Sequence, residues 1–305
     1  MVIDAILLTF NPNVELLKKS LSKTVSIFDH VYIFDNGSDN FSDIECICNC
    51  HENLTLCPSK ENLGIKGLNK IAIISFDNGS DAITILDQDS TLPNGYRDGL
   101  FTAFERYSRG VFAPIYSDGN IKYNCLSKIH KLGRLFYTKK EINLVRDGEY
   151  IGTDFIIGSG MSIRKSDWLV TGGFNESFFL DCADIDFCLR LKKNLIPIYY
   201  IKSYIMDHKI GSEREKVLGI YHVSMHSPYR HYLYFDGIMS IILSDLSPWS
   251  FKIHYSVKLF VQYFIYGFLV SDASRHRKLI NKAIIDRFKK LYDFLLKRTT
   301  IRKSK

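Results

Sequence analysis

The run Ala82-Ile83-Thr84-Ile85-Leu86-Asp87-Gln88-Asp89 decides how the chain is read: five apolar or β-branched residues, then two carboxylates flanking an amide. An uninterrupted apolar stretch of this length suits a strand covered on both faces, as in parallel α/β sheets. Alternate residues of a strand share a side, so Asp87 and Asp89 can converge where the strand leaves the sheet. Two hard oxygen donors at an open edge suit Mg²⁺ or Mn²⁺, ions that keep waters and accept phosphate oxygens. A turn or helix cap made by Asp89-Ser90-Thr91 ahead of Leu92-Pro93 is the other reading of the same residues.

Upstream, residues 3–9 form another run, apolar apart from Asp4 and Thr9, and Asn11-Pro12-Asn13 starts a helix carrying Val14, Leu17 and Leu21. Val31-Tyr32-Ile33-Phe34 reads as a second strand ended by Asp35-Asn36-Gly37-Ser38, and Leu54-Thr55-Leu56 as a third closed by Pro58. Helices are expected over about residues 68–76 and 94–108, with a further strand at 111–115. Strands alternating with helices predict an α/β fold: a mostly parallel sheet flanked by helices, with ligands at the carboxyl ends of its strands. Three of the first four strands end there in polar groups: Thr9-Phe10-Asn11, Asp35-Asn36 and Asp87-Gln88-Asp89. Residues 116–150 have weak periodicity and predict a long excursion over the active face. Beyond them come Gly158-Ser159-Gly160, Gly172-Gly173-Phe174 and a strand at 196–201.

A second acidic group, Asp181, Asp184 and Asp186, opens what reads as a helix through Phe187, Cys188, Leu189 and Leu191. A carboxylate there can cap the helix and favour its dipole, or act as a general base. Three carboxylates in six positions exceed the needs of one cap, and neighbouring charges raise a carboxyl pKa towards a base's working range. His208 follows the 196–201 strand; it is either a structural hydrogen-bonder or a metal ligand, if that strand returns to Asp89. Cys46, Cys48, Cys50, His51 and Cys57 match no usual zinc spacing and read as ordinary thiols in a connecting segment.

Excluded classes narrow the field. The chain has no G-x-x-x-x-G-K-[ST] loop, no G-x-G-x-x-G after the first strand and no G-x-S-x-G elbow, which removes support for P-loop, NAD and serine-hydrolase chemistry. Seven cysteines without a leader-like N-terminus lead to the expectation of a reducing compartment. No window reaches a membrane-spanning length of apolar residues.

Charge is concentrated at the end. Residues 249–305 hold 14 Lys and Arg against three Asp and Glu, while the whole chain is only +7, so the remainder is acidic on balance. Ile280, Ile284, Phe288, Leu291 and Leu295 recur at helical spacing, with Lys278, Lys282, Lys289, Lys290 and Lys297 mostly off that stripe. Such a helix either docks on an anionic membrane surface or packs on the protein's own body. No nucleic-acid-binding signature accompanies the basic residues, and a nucleic-acid partner is not expected. The division expected is a catalytic domain over 1–240 and a basic amphipathic helical extension over 241–305.

The ordered set Leu8-Thr9-Phe10-Asn11-Pro12, Phe34-Asp35-Asn36-Gly37-Ser38, Asn62-Leu63-Gly64-Ile65, Leu86-Asp87-Gln88-Asp89-Ser90 and Gly172-Gly173-Phe174 with Asp184 resembles the inverting family-2 glycosyltransferases. It resembles most their bacterial rhamnosyltransferase branch, which builds O-antigen and capsule chains. His208-Lys209-Ile210-Gly211 and His226-Ser227-Pro228-Tyr229-Arg230 match two more of that branch's segments. The resemblance implies a GT-A fold, a nucleotide-sugar donor such as dTDP-rhamnose, and Mg²⁺ or Mn²⁺. It implies that Thr9, Asn11, Asp35, Asn62, Gly64 and Asp87 serve the donor, that Asp89 and His208 serve the metal, and that Asp184 is the catalytic base. A lipid-linked glycan acceptor and a cytoplasmic location at the inner membrane face are implied as well. The same motifs are compatible with a UDP-hexose or UDP-galactofuranose donor, or with a non-catalytic nucleotide- or glycan-binding scaffold. Two departures stand out: Ala183-Asp184 where Glu-Asp is more common, and Asp236-Gly237 where the branch has Arg-Asn.

Overall fold

A computed structural model describes residues 1–117, 127–146, 148–207, 213–217 and 221–303. Its elements follow in chain order as β1 (Ile3–Thr9), α1 (Val14–Ile27), β2 (Val31–Asp35), α2 (Phe41–Cys48), β3 (Leu54–Pro58), α3 (Ile65–Asp77), β4 (Ala82–Asp87), α4 (Tyr96–Arg106) and β5 (Val111–Ser117). Then come β6 (Lys128–Leu132), β7 (Tyr137–Glu141), β8 (Tyr150–Thr153), β9 (Ser162–Arg164), α5 (Lys165–Thr171), α6 (Ala183–Lys193) and β10 (Ile198–Asp207). The chain ends with β11 (Glu213–Val217), β12 (Tyr221–Met225), α7 (Pro228–Leu243), α8 (Trp249–Phe264), a π-helical turn (Ile265–Leu269) and α9 (Ala273–Lys303). Two compact units result: Met1–Lys131, Thr138–Phe179 and Ala183–Ile210 form the larger, and Leu132–Tyr137, Leu180–Cys182 and Gly211–Lys305 the smaller.

The larger unit is built on an eight-stranded sheet in the order β3-β2-β1-β4-β9-β5-β10-β8. β1 lies between β2 and β4, parallel to both, and β2 runs parallel to β3. Burial explains the apolar runs: every residue of β2 is buried, as are the first five of β4. A strand covered on both faces cannot alternate. The core gathers Ile3, Leu7, Leu17, Leu21, Val31, Ile33, Leu86 and Phe104. Asn13 caps α1, its side chain accepting from the Leu16 amide at 3.0 Å, which is why the helix begins where Asn11-Pro12-Asn13 predicted.

Four features differ from the reading of the sequence. The cysteine-rich segment is not merely a connection: Cys46 and Cys48 lie on α2, with Cys48 buried beside Ile44 and Ile47. Burial raises the Cys48 thiol to about 12, which keeps it protonated and unreactive at neutral pH. β9, only three residues long, enters antiparallel between β4 and β5, where the Ser162 and Thr84 hydroxyls pair at 2.8 Å. β10 runs on to Asp207, parallel to β5 and with a register shift between Ile201 and Ile205. The 116–150 stretch carries β6 and β7, which pair in a separate two-stranded sheet, and β8, starting at its last residue, takes the far edge of the large sheet, antiparallel to β10.

In the smaller unit, α7 packs along α9. Ser227 caps α7 by accepting from the Arg230 amide at 3.3 Å, and Pro228 opens it, so part of the His226–Arg230 segment is a helix start. The Asp236-Gly237 departure is structural too. Both Asp236 oxygens accept from Arg287 of α9, at 2.9 and 2.6 Å, and a side chain at Gly237 would press on Cys182 at 3.1 Å.

Candidate functional site

The parallel register brings the polar strand ends to one edge. Thr9 of β1 stands opposite Asp35 of β2, and Leu8 opposite Asp87 of β4. Asp35 is almost fully buried and accepts four hydrogen bonds: from the Thr9 hydroxyl at 2.9 Å, the Ser38 hydroxyl at 2.6 Å, and the Gly37 and Ser38 amides at 3.1 and 2.9 Å. Thr9 and Asp35 therefore shape the turn after β2. Asn11 is exposed and takes a left-handed backbone, φ 45°, which asparagine tolerates better than most residues. Its amide donates to the Ser38 hydroxyl at 2.8 Å, and its side chain pairs in both directions with Asp39, at 2.7 and 3.1 Å. The loops after β1 and β2 are thus cross-tied into one rim.

A third loop joins that rim. Asn36 accepts from the Leu63 amide at 3.1 Å, and Asn62 from the Gly64 amide at 2.9 Å. Gly64 has φ 55°, and a Cβ there would collide with the Phe179 carbonyl oxygen. That same oxygen accepts from the Ile65 amide at 2.7 Å, so α3 begins against the backbone of Phe179. The glycine is required by conformation and by contact. Phe179 lies five residues before Asp184, which ties the acidic segment to the Asn62–Gly64 loop.

On the β4 side, Asp87 and Asp89 are exposed at the strand exit. Gln88 accepts from the Phe10 amide at 3.0 Å, and Ser159 accepts from the Asp87 amide at 3.2 Å and shares a hydrogen bond with Ser90 at 2.7 Å. β10 does return to this loop, since Asp207 forms an antiparallel bridge with Thr91, two residues past Asp89. His208 itself lies outside the described residues. Among the described residues no group of three His, Cys, Asp or Glu stands close enough to hold a metal ion. The donor chemistry nonetheless fits a hard divalent ion that takes one or two carboxylates and fills the rest of its shell with phosphate and water.

Asp184 lies half-buried in the first turn of α6, accepting from the Ile185 amide at 2.8 Å. Its two acidic neighbours have other tasks. Asp186 is buried in a salt bridge with Arg190 at 2.8 Å, and Arg190 also donates to the carbonyls of Thr171 and Gly173, both at 2.6 Å. Within the smaller unit Asp181 pairs with Arg230 at 2.8 Å. Both carboxylates are charge-balanced by arginine. Gly172-Gly173-Phe174 is a joint: Gly172 ends α5 with φ 81°, and the buried Asn69 side chain of α3 both donates to and accepts from the Phe174 backbone, at 2.8 and 2.9 Å.

The sequence reading missed Ser38, Asp39, Ser159 and Asp207 at this edge. Ser38 and Ser159 stand inside motifs singled out for other residues and Asp207 directly precedes His208, whereas Asp39 carries no local signal.

This sheet order and edge define the class: the chain has the GT-A fold of nucleotide-sugar-dependent glycosyltransferases. Among solved structures, the mannosyltransferase PcManGT from Pyrobaculum calidifontis, in complex with GDP-Man and Mn²⁺, matches 98% of this chain and 79% of its own, with a TM-score of 0.52 at 14% identity. In sequence the chain is similar to family-2 glycosyltransferases close to the rhamnosyltransferases. The dTDP-rhamnosyl transferase RfbF of Shigella flexneri is 25% identical over 232 residues, 75% of this chain and 76% of that protein. Rhamnosyltransferase WbbL of Escherichia coli (strain K12) is 36% identical over 55 residues, 18% of this chain and 21% of WbbL. No family model matches the chain.

Proposed function

We propose that the protein is an inverting, metal-dependent glycosyltransferase that moves L-rhamnose from dTDP-rhamnose to a lipid-linked glycan of the O-antigen or capsular type. The observation that carries the reading is the convergence of Thr9, Asn11, Asp35, Asn62, Gly64 and Asp87 on one sheet edge, cross-tied through Asp35, Asn36 and Asp39. The likeness to RfbF supports the choice of sugar.

In this reading the rim formed after β1, β2 and before α3 receives the nucleoside, with Thr9 and Asp35 fixing its shape and Asn11 and Asp87 exposed to the ligand. Asp89, with His208, would hold Mg²⁺ or Mn²⁺, which when bound neutralises charge on the diphosphate. The Asp184 carboxylate takes the proton from an acceptor hydroxyl as that oxygen bonds to the sugar's anomeric carbon. The bond from that carbon to the diphosphate oxygen breaks on the opposite face, so the centre inverts in one displacement and the nucleoside diphosphate leaves with the electron pair. Residues 1–240 perform this chemistry, and residues 241–305 dock the protein on the anionic inner face of the cell membrane, where lipid-linked acceptors reside. No helix among the described residues is long and apolar enough to cross a membrane.

Thermal-shift titration with Mn²⁺ and dTDP-rhamnose, UDP-glucose, UDP-galactose, UDP-galactofuranose and GDP-mannose tests the donor. At about 100 times its dissociation constant a ligand adds nearly 3 kcal/mol. A shift with dTDP-rhamnose that disappears with chelator and in Asp89→Ala is the expected result. A shift with a UDP-sugar alone replaces the donor, and silence across the panel from folded protein removes the enzymatic reading.

A further inference from the structure

Helix α8 is apolar on two faces. Phe251, Tyr255 and Leu259 are buried within the smaller unit. On another side Trp249, Ile253, Val257, Phe260 and Phe264 follow one another at three- and four-residue spacing, and each is more than half exposed, from 53% at Ile253 to 71% at Phe260. Phe268 extends the line into the π-helical turn. A surface helix of a water-soluble domain needs one apolar stripe, and a second one this long holds a large apolar area in water.

The stripe of α9 is packed at its start only: Ile280 and Ala283 are fully buried, whereas Ile284 and the 56% exposed Phe288 line an open cavity of about 480 Å³ together with Phe235, Leu259 and Phe260. We propose that the exposed face of α8, rather than the stripe of α9, is the surface that enters an anionic bilayer, with the helix lying along the interface. The inference rests on the membrane-docking part of the function proposed above and assigns the contact that the docking uses.

Charge selects the occupant. Residues 249–271 contain no Asp or Glu, and 249–305 hold 14 basic residues against three acidic ones. A second copy would bring the same positive field to the interface, whereas anionic headgroups complement it. Trp249 stands at one end of the face, 66% exposed and 5.8 Å from the Lys252 ammonium, an aromatic–cation pairing suited to headgroup depth.

The test uses the full chain and vesicles of phosphatidylcholine with or without phosphatidylglycerol. Wild-type protein is expected to sediment with the anionic vesicles. The triple variant Ile253→Ser, Val257→Ser, Phe260→Ser, with unchanged circular dichroism, should partition about a hundredfold less. In the unaltered protein, brominated lipid should quench Trp249, while Trp168, only 3% exposed, stays unquenched. Undiminished binding of the triple variant, or sedimentation without Trp249 quenching, overturns the assignment and leaves docking intact. Equal loss by Tyr292→Ser, Leu296→Ser alone returns the contact to α9. Absence of wild-type binding to anionic vesicles removes the docking reading together with the inference. A dimer in light scattering that the triple variant dissolves makes the face an interface between copies and overturns it as well.

Discussion

Asp184 and Asp186 share one helical turn, yet only Asp184 is proposed as a base. Asp186 is held by Arg190, so its charge belongs to the joint between α5 and α6. Asp184 is half-buried, which lets a substrate hydroxyl approach. Asp184→Asn is expected to lower transfer by about 10²–10⁴-fold, the usual scale for removing a general base, while donor affinity stays unchanged. Loss of donor affinity in isothermal titration would reassign the residue to structure. The sequence made this carboxylate legible through its motif, but not the arginine partners of Asp186 and Asp181. Arg190 and Arg230 follow Asp186 and Asp181 by four and 49 positions, and periodicity carries no information about the second pairing. Asp39 was missed for the same reason, since its partner Asn11 lies 28 residues away.

At the scale of elements, β2 and β4 were readable because burial on both faces leaves an apolar run, β1 despite its buried Asp4 and β3 despite lying at the sheet edge, and the exits of β1, β2 and β4 were readable because polar residues end those runs. α2 was hidden because Asp43, Glu45 and Cys46 interrupt an apolar face of only Ile44, Ile47 and Cys48. β9 is too short for any period to show. The reading of α9 left two partners open, and its side chains differ in burial: Ile280 is fully buried, Phe288 is 56% exposed. Ile280→Ala should cost about 2–5 kcal/mol in chemical denaturation, and Phe288→Ala clearly less, because the buried site leaves a cavity and the exposed one does not. Equal costs would mean that Phe288 is covered in solution.

For the molecule as a whole, acid sensitivity is expected to arise in the smaller unit. His231 and His276 are buried with their Nδ1 atoms 2.8 Å apart, and the His231 Nε2 has no hydrogen-bond partner among the described residues. Burial first, then the neighbouring His276, His226 and Arg230, pushes His231 down to about 3; burial also lowers His226 and His276. These rings are neutral in the native protein and take up protons when it unfolds, so the stability they confer is complete above about pH 6.5 and declines as pH falls towards the native value. From about pH 6.5 to pH 5 the loss from His231 alone should reach about 2 kcal/mol. Urea denaturation followed by Trp249 fluorescence should show it, and His231→Gln should flatten the slope; a pH-independent midpoint would mean the rings are not neutral and buried together. Net charge and the lysine-rich end were visible in the sequence, but the histidine pair, 45 residues apart, was not.

The bridge between Thr91 and Asp207 joins positions 116 residues apart, whereas β1 to β4 arise from the first 87 residues. During synthesis the cross-tied loops after β1 and β2 can therefore assemble early, while the loop carrying Asp89 gains its bridge to β10 only after that strand has emerged. A nascent chain halted before Asp207 would present a sheet edge with the loops after β1 and β2 built and the exit of β4 still loose.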